Sequence, residues 1–280
     1  MSRVPRLIVN ADDYGLTPGV SRGILEAHRK GIVTSTSVMI SSPGVAPAIQ
    51  EALNSAPQLG LGLHFTLSGT GSRPILPAEQ VKSLLQDDGM FYPFEEWLAH
   101  YEQFSPDEIV RELTAQCECF ADLAGKPPDH LDAHHHVIYR HPAALRTAFE
   151  LAQRYNIPVR NPGFDRALPD LLSGVSEASR ETTHTEIEEL LAGATRHWPD
   201  HFEDGFYDMT ATLGDLLLIL ANLPEGVTEL MCHPGYADDP LSFRNDYADK
   251  REAELAALTH VSVRELIKAE GIELIRFSDL

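Results

Sequence analysis

The sequence predicts a single-domain α/β barrel in which short parallel strands alternate with helices. Short apolar runs alternate with longer stretches whose apolar residues recur at every third or fourth position. The length of 280 residues is close to the roughly 250 residues that a single barrel commonly fills. No repeat, low-complexity segment or linker divides the sequence, so we expect one domain over residues 1–280.

The first strand and the first helix show this pattern most clearly. Residues 6–10 form an apolar run that becomes polar at Asn10. Thr17 can cap the helix that follows, Pro18 suits its first position, and Gly31 is a natural stop. Apolar residues at helical spacing along this helix predict one buried face.

The other elements continue the alternation. Further strands are expected at residues 35–40, 59–65, 157–160, 228–232 and 272–277, with a short strand-like segment at 130–134. Helices are expected at residues 47–54, 105–123, 142–155, 186–198, 213–223 and 251–269. Two irregular stretches, residues 69–93 and 161–181, are predicted to be loop insertions that line the substrate groove.

The composition excludes several classes of function. The sequence has 42 acidic and 22 basic residues, which gives a formal net charge of −20. Such a surface repels phosphate backbones, so we expect no nucleic acid partner. Three cysteines without a CxxC pair favour a reducing cytoplasm over a disulfide framework. No apolar run approaches the roughly 18 residues of a membrane span, and the N-terminal run is too short for a signal peptide.

Ionisable residues collect at the ends of the candidate strands. Asp12, Asp13, His64, His134 and His233 each lie at or just after the carboxyl end of a strand. In a parallel barrel these ends converge on one face, so the five residues are predicted to share a pocket. Each has a structural alternative when taken alone: adjacent aspartates often cap turns, and a solitary histidine on an apolar strand is commonly a core residue.

The densest group is the segment 130–136, which contains four histidines and one aspartate. On a strand, His134, His136 and Asp132 would share one face. Neutral imidazoles are common ligands of zinc and similar ions. The alternative is a surface histidine cluster, but the apolar residues on both sides of the segment favour burial.

A metal held by one carboxylate and two imidazoles would keep positions open for water and a substrate oxygen. Asp13, His64 and His134 match such ligands. Asp12 could then act as the base, and His233 could protonate the leaving amine. The sequence contains neither a glycine-rich phosphate loop nor a G-x-S-x-G nucleophile motif.

Five motifs together resemble the YdjC/ChbG family of carbohydrate deacetylases. They are residues 8–15 (IVNADDYG), 31–37 (GIVTSTS), 62–65 (GLHF), 130–137 (HLDAHHHV) and 231–236 (MCHPGY). The resemblance implies a distorted, TIM-like β/α barrel related to polysaccharide deacetylases. It also implies a divalent metal, with magnesium or zinc expected, and hydrolysis of the N-acetyl group of an amino sugar such as a chitooligosaccharide.

By the same resemblance, Asp13, His64 and His134 look like the metal ligands, Asp12 like the base, and His233 like the histidine of the family's HP-x-Y motif. Arg160, Tyr14 and His136 are expected to bind substrate, although Arg160 could instead form a structural ion pair. The resemblance implies a small carbohydrate as partner, and a homodimer is compatible with it.

Other functions stay open at this stage. The alternatives are another single-metal amidohydrolase or esterase, including a deacetylase of a glycosylated lipid, and a non-catalytic binding protein that retains a metal. A site with two ions about 4 Å apart would favour a phosphoesterase. A fourth protein ligand in place of water would favour a structural metal site.

Overall fold

One curved parallel sheet organises the computed structural model of this chain, which describes residues 4–69, 71–162, 172, 175–237 and 247–280. Within these residues its strands are β1 (Arg6–Tyr14), β2 (Ser35–Val38), β3 (Gly60–Phe65), β4 (Leu131–Ala133), β5 (His201–Glu203), β6 (Val227–Cys232) and β7 (Glu273–Leu274). The strand order is β4-β3-β2-β1-β6-β5, and β7 pairs with the start of β1. Every strand pairing is parallel, as the sequence predicts.

Helices surround the sheet. Those of the described residues are α1 (Pro18–Lys30), α2 (Val45–Ser55), α3 (Phe94–His100), α4 (Pro106–Ala124), α5 (Pro142–Tyr155), α6 (Glu177–Gly193), α7 (Leu213–Ala221), α8 (Ala248–Leu258) and α9 (Val261–Glu270). Thr17 caps α1, where its hydroxyl accepts a hydrogen bond from the Val20 amide. None of the helices within the described ranges has both the length and the apolar character needed to cross a bilayer.

The sheet curls into a half-barrel. Beyond β4 the chain makes a single parallel bridge between Leu131 and Val159. The Val159 amide donates to the backbone carbonyl of His197, which lies shortly before β5 at the other end of the sheet. The two ends therefore approach each other, and the expected α/β barrel class is confirmed in this distorted form.

Several expected elements differ in their bounds. The strand predicted at 157–160 is reduced to the bridge at Val159. Its hydrogen bonds to β4 involve Leu131, whose amide donates to the Pro158 carbonyl and whose carbonyl accepts from the Arg160 amide. The helix predicted at 251–269 is two helices, with Thr259 at the end of the first. The insertion predicted at 69–93 contains two short 3₁₀ turns, Ala78–Gln80 and Lys82–Leu84. Most of the insertion predicted at 161–181 lies outside the described residues.

The interior of the half-barrel is polar in its middle layer. Five fully buried side chains meet there, one from each of β1, β2, β4 and β6 and one from the segment beyond β4: Asn10, Ser37, Asp132, Glu229 and Arg160. Apolar residues occupy the opposite side of the strands and the helix faces packed on them. A polar interior in a fold normally filled by apolar layers indicates that this barrel is built around a charged site.

The amino end of the strands is closed by an apolar cluster of Ile8, Val227, Ile275 and Phe277. The Phe277 ring stacks on the imidazole of His130 with centroids 3.9 Å apart. His130 Nδ1 lies 2.6 Å from Asp129 Oδ1. This histidine of the 130–136 segment therefore belongs to the floor of the barrel.

Candidate active site

A cleft of about 640 Å³ opens at the carboxyl ends of the strands. All five residues predicted to share a pocket line it: Asp12, Asp13, His64, His134 and His233. They come from β1, β3 and the segments that follow β4 and β6. Parallel pairing places these ends side by side, which explains how residues so distant in sequence meet.

Three ligand atoms of the kind that bind divalent metals converge in this cleft. Asp13 Oδ1 lies 3.4 Å from His64 Nε2 and 3.0 Å from His134 Nδ1. All three atoms lie within 4.8 Å of one another. Metal–ligand bonds of about 2.0–2.2 Å at angles between about 90° and 110° separate neighbouring ligand atoms by about 2.8–3.6 Å. Within the described part of the chain, the buried Asp13 Oδ1 makes no hydrogen bond of good geometry, so the three residues fit a divalent metal.

An irregularity in β1 allows both adjacent aspartates to face the cleft. Two successive residues of a regular strand point to opposite faces. Here the pairing with β2 shifts register between Ala11 and Tyr14, and Asp13 has a left-handed backbone with φ of 71°. Such a conformation costs a non-glycine residue about 1–3 kcal/mol. The second oxygen of Asp13 is held by Arg251, whose Nη2 lies 2.5 Å from Oδ2.

A buried carboxylate fixes the orientation of His64. Asp132 Oδ1 lies 2.8 Å from His64 Nδ1, which leaves Nε2 directed toward Asp13. The other oxygen of Asp132 accepts from the Ser37 hydroxyl at 2.8 Å. Burial disfavours the imidazolium form of His64, but Asp132 and Asp12 outweigh burial and raise its pKa to about 10. A pocket this negative favours any cation.

The histidine segment after β4 has a different geometry from the expected one. The strand ends at Ala133, and the backbone is left-handed at His135 and His136, with φ of 52° and 55°. His134 and His136 therefore do not share a strand face. His134 reaches Asp13, while His135 Nδ1 lies 2.9 Å from the Ser68 hydroxyl. His136 lines the cleft, where it could contact a substrate, and its substrate-binding role stays a prediction.

Asp12 is held by a two-pronged ion pair. Arg160 donates to Oδ2 from Nη1 at 2.9 Å and to Oδ1 from Nη2 at 2.7 Å. Burial alone would raise the pKa of Asp12, but the Arg160 guanidinium and His64 hold it well below its usual range. Oδ2 of the same carboxylate lies 3.9 Å from His233 Nε2 across the cleft. Asp12 is therefore ionised and adjacent to both the metal ligands and His233.

Arg160 has no exposed surface. Besides Asp12, its guanidinium contacts Asp132 at 2.9 Å and Glu229 at 2.7 Å, and it lies over the Phe202 ring. This position does not support the substrate contact that the sequence suggested, and it matches the alternative of a structural ion pair. Asp12 and Asp132 could form part of a second metal site with His64, but the Arg160 guanidinium already lies between their carboxylates.

Tyr14 also lies away from the cleft. Its ring is fully buried, and its hydroxyl donates to the Ala48 carbonyl of α2 at 2.7 Å. Burial raises the pKa of this hydroxyl above its usual value. The geometry does not support the substrate-binding role expected for Tyr14, because the register shift in β1 directs its side chain into the core.

Two charged residues of α8 contact the site and were missed by the sequence reasoning. Arg251 holds Asp13, and Glu254 contacts His233. Both are fully buried on the same helix face as Leu255 and Leu258. Opposite charges at a three-residue spacing on an otherwise apolar helix face were the signal that could have identified them.

Comparisons with known proteins agree with this arrangement. A family profile for YdjC-like proteins matches residues 6–269. A carbohydrate deacetylase of Enterococcus faecalis V583 is 35% identical over 281 residues, covering 98% of both chains. One of Brevibacillus brevis is 35% identical over 276 residues, covering 98% of this chain and 99% of that one.

A solved structure shares the whole fold. The crystal structure of an Enterococcus faecalis V583 protein, provisionally described as a cellobiose-phosphate cleavage protein, superposes with a TM-score of 0.85. It is 34% identical and covers 99% of both chains. With a matching profile over most of its length and relatives similar from end to end, this chain belongs to the family of YdjC-like proteins.

Proposed function

We propose that this chain is a metal-dependent carbohydrate deacetylase that hydrolyses the N-acetyl group of an amino sugar such as a chitooligosaccharide. The observation that carries the proposal is the convergence of Asp13, His64 and His134 in one cleft with Asp12 and His233. The names of the two curated relatives support the reaction type and the substrate class.

Asp13 Oδ1, His64 Nε2 and His134 Nδ1 would hold the ion. When bound there, a divalent metal would act as a Lewis acid that could polarise the acetamide carbonyl and lower the pKa of a water molecule. Two imidazole donors favour zinc over magnesium, which prefers oxygen ligands. Three protein ligands are typical of a catalytic site, because they leave a position for water or substrate. Arg160 between Asp12 and Asp132 favours one ion over two.

Asp12 and His233 divide the proton transfers. Asp12 accepts the proton of the attacking water, whose oxygen forms a bond to the acetamide carbon. Because the pKa of Asp12 is low, it holds this proton only briefly and passes it to His233 Nε2, which lies 3.9 Å from Asp12 Oδ2. His233 delivers a proton to the amide nitrogen as the carbon–nitrogen bond breaks, which yields acetate and a free amine.

The walls of the cleft suit a sugar. Phe94, Tyr207 and Tyr247 line the cleft, and the two tyrosine rings stack with centroids 4.5 Å apart. Such rings pack against the apolar faces of sugars, and the volume of about 640 Å³ is in the range of small-molecule sites.

The test is acetate release from N,N′-diacetylchitobiose and longer chitooligosaccharides by zinc- or magnesium-loaded protein. We expect release that requires metal and is abolished by Asp12→Asn and by His134→Ala. Release from other amides or esters, or from an acetylated glycolipid, with no activity on chitooligosaccharides would replace the substrate. Tight metal binding without hydrolysis across that panel would favour the non-catalytic binding protein.

A further inference from the structure

Helix α8 passes behind His233 and directs one carboxylate at it. Glu254 is fully buried, and its Oε1 lies 3.9 Å from His233 Nδ1. Its Oε2 accepts a hydrogen bond from the His233 backbone amide. His233 Nδ1 is buried and makes no hydrogen bond with any part of the chain that the structure describes. The carboxylate thus anchors the backbone of His233 and faces the ring nitrogen directed away from Asp12.

A second contact fixes Glu254. The Tyr247 hydroxyl donates to Glu254 Oε1 at 2.5 Å and accepts from the Asp208 amide at 2.8 Å. Tyr247 in turn stacks on Tyr207 with nearly parallel rings. The carboxylate is therefore held in place from one side by a tyrosine and from the other by the main chain of His233.

We propose that Glu254 is the positioning residue for His233 and keeps the Nδ1 proton directed toward α8, so that Nε2 faces Asp12 and the substrate. The inference rests on the proposed function for its consequence in catalysis. A neutral imidazole carries one proton, and the hydrogen bond made by one nitrogen decides which nitrogen is free. At 3.9 Å the two atoms are too far apart for a hydrogen bond. Catalytic contacts of this kind are often long without substrate and shorten when it binds.

The carboxylate also stabilises the imidazolium that forms when Nε2 gains a proton. Burial favours the neutral forms of both partners and raises the pKa of Glu254 to about 7, while it lowers that of His233 to about 4. Among the described residues, the other titratable or charged groups that face the pair are Asp12 and Asp13 of β1, His64 of β3, Tyr207 before α7, Cys232 of β6, Arg251 of α8, and Tyr247, which caps α8. The carboxylate that lies opposite His233 Nδ1 is that of Glu254.

The experiment compares Glu254→Gln with the wild type in two measurements. The first is the titration of His233, followed by NMR on protein with labelled histidine. The second is the pH profile of kcat and KM for acetate release. We expect the pKa of His233 to fall by about one unit, kcat to fall roughly 10- to 100-fold, and KM and metal affinity to change less than about threefold. Glu254→Asp should recover part of kcat, because it retains the charge.

Glu112→Gln is the matched control. Glu112 is also fully buried and accepts hydrogen bonds from two backbone amides, those of Ile75 and Leu76, outside the cleft. The Glu112→Gln variant should have a lower Tm and an unchanged pKa of His233. If Glu254→Gln does not fold, Tyr247→Phe can replace it. This variant removes the hydrogen bond that holds the Glu254 carboxylate in place, and it should shift the pKa of His233 in the same direction.

An unchanged titration of His233 in the folded variants would overturn the inference. So would an equal loss of kcat in Glu254→Gln and Glu112→Gln without any shift of the pH profile. Failure of the wild type to release acetate would refute the proposed function, and the NMR titration would still decide the role of Glu254.

Discussion

Replacing Asp132 with asparagine tests whether the buried carboxylate network prepares His64 for metal binding. Asp132 contacts His64 through one oxygen, and Ser37 and Arg160 through the other. Asparagine has a donor in place of one of these acceptors. If its amide nitrogen faces His64 Nδ1, it donates to that nitrogen and moves the imidazole proton to Nε2, the atom expected to bind the metal. If the amide nitrogen faces the other way, it opposes the donors of Ser37, Arg160 and Asn10.

Either orientation weakens the site. Partners that orient a metal-bound histidine typically contribute 10- to 100-fold in affinity, which corresponds to about 1.4–2.8 kcal/mol. We therefore expect Asp132→Asn to bind zinc 10- to 100-fold more weakly in isothermal titration calorimetry or in competition with a chromophoric chelator.

Asp129→Asn provides a matched control. It makes the same chemical change at an aspartate 2.6 Å from a histidine, His130, but at the floor of the barrel. It should bind zinc as the wild type does, even if it unfolds at a lower temperature. A folded Asp132→Asn protein that binds zinc within about twofold of the wild type would refute the reasoning.

Three further predictions concern other parts of the fold. Burial raises the pKa of Glu229 to about 7 from 4.5, so the folded state binds more protons between these values and the free energy of unfolding should fall as pH rises through that window. Over this window the wild type should lose on the order of 3 kcal/mol of unfolding free energy in urea denaturation with a chelator present, and Glu229→Gln should not. The same pH dependence in both proteins would contradict this. An added Cβ at Gly23 would lie 2.5 Å from the Gly235 Cα, just after His233, so Gly23→Ala should lower Tm and acetate release, and an unchanged Tm would disprove the close contact. Tyr14→Phe should cost about 1 kcal/mol of stability, from the lost bond to Ala48, with KM unchanged; a KM several-fold higher would restore its role in substrate binding.

The sequence was sufficient for the parts of the site that depend on strand ends. Asp12, Asp13, His64, His134 and His233 could be grouped because parallel strands bring their carboxyl ends to one face, and the structure does place them in one cleft. Their roles as ligands, base and acid remain predictions. The alternation of apolar runs and helical stretches was likewise sufficient for the fold class.

The sequence could not assign the role of residues whose function depends on which side chains face them in the folded protein. Arg160 at a strand end reads equally well as a substrate ligand or an ion pair, and the choice depends on Glu229 and Asp132 facing inward. The turn at His135 and His136 also has no local signal, since neither glycine nor asparagine marks its left-handed backbone. Tertiary contacts impose that conformation, and a sequence pattern does not record them.

The left-handed residues Asp13, His135 and His136 have a consequence for protein engineering. Each carries a backbone conformation that glycine or asparagine would adopt more easily. Selection for heat resistance alone would therefore favour replacing the very residues that form the cleft. A library screened for thermal stability should lose function at these three positions first, unless every round also selects for metal binding.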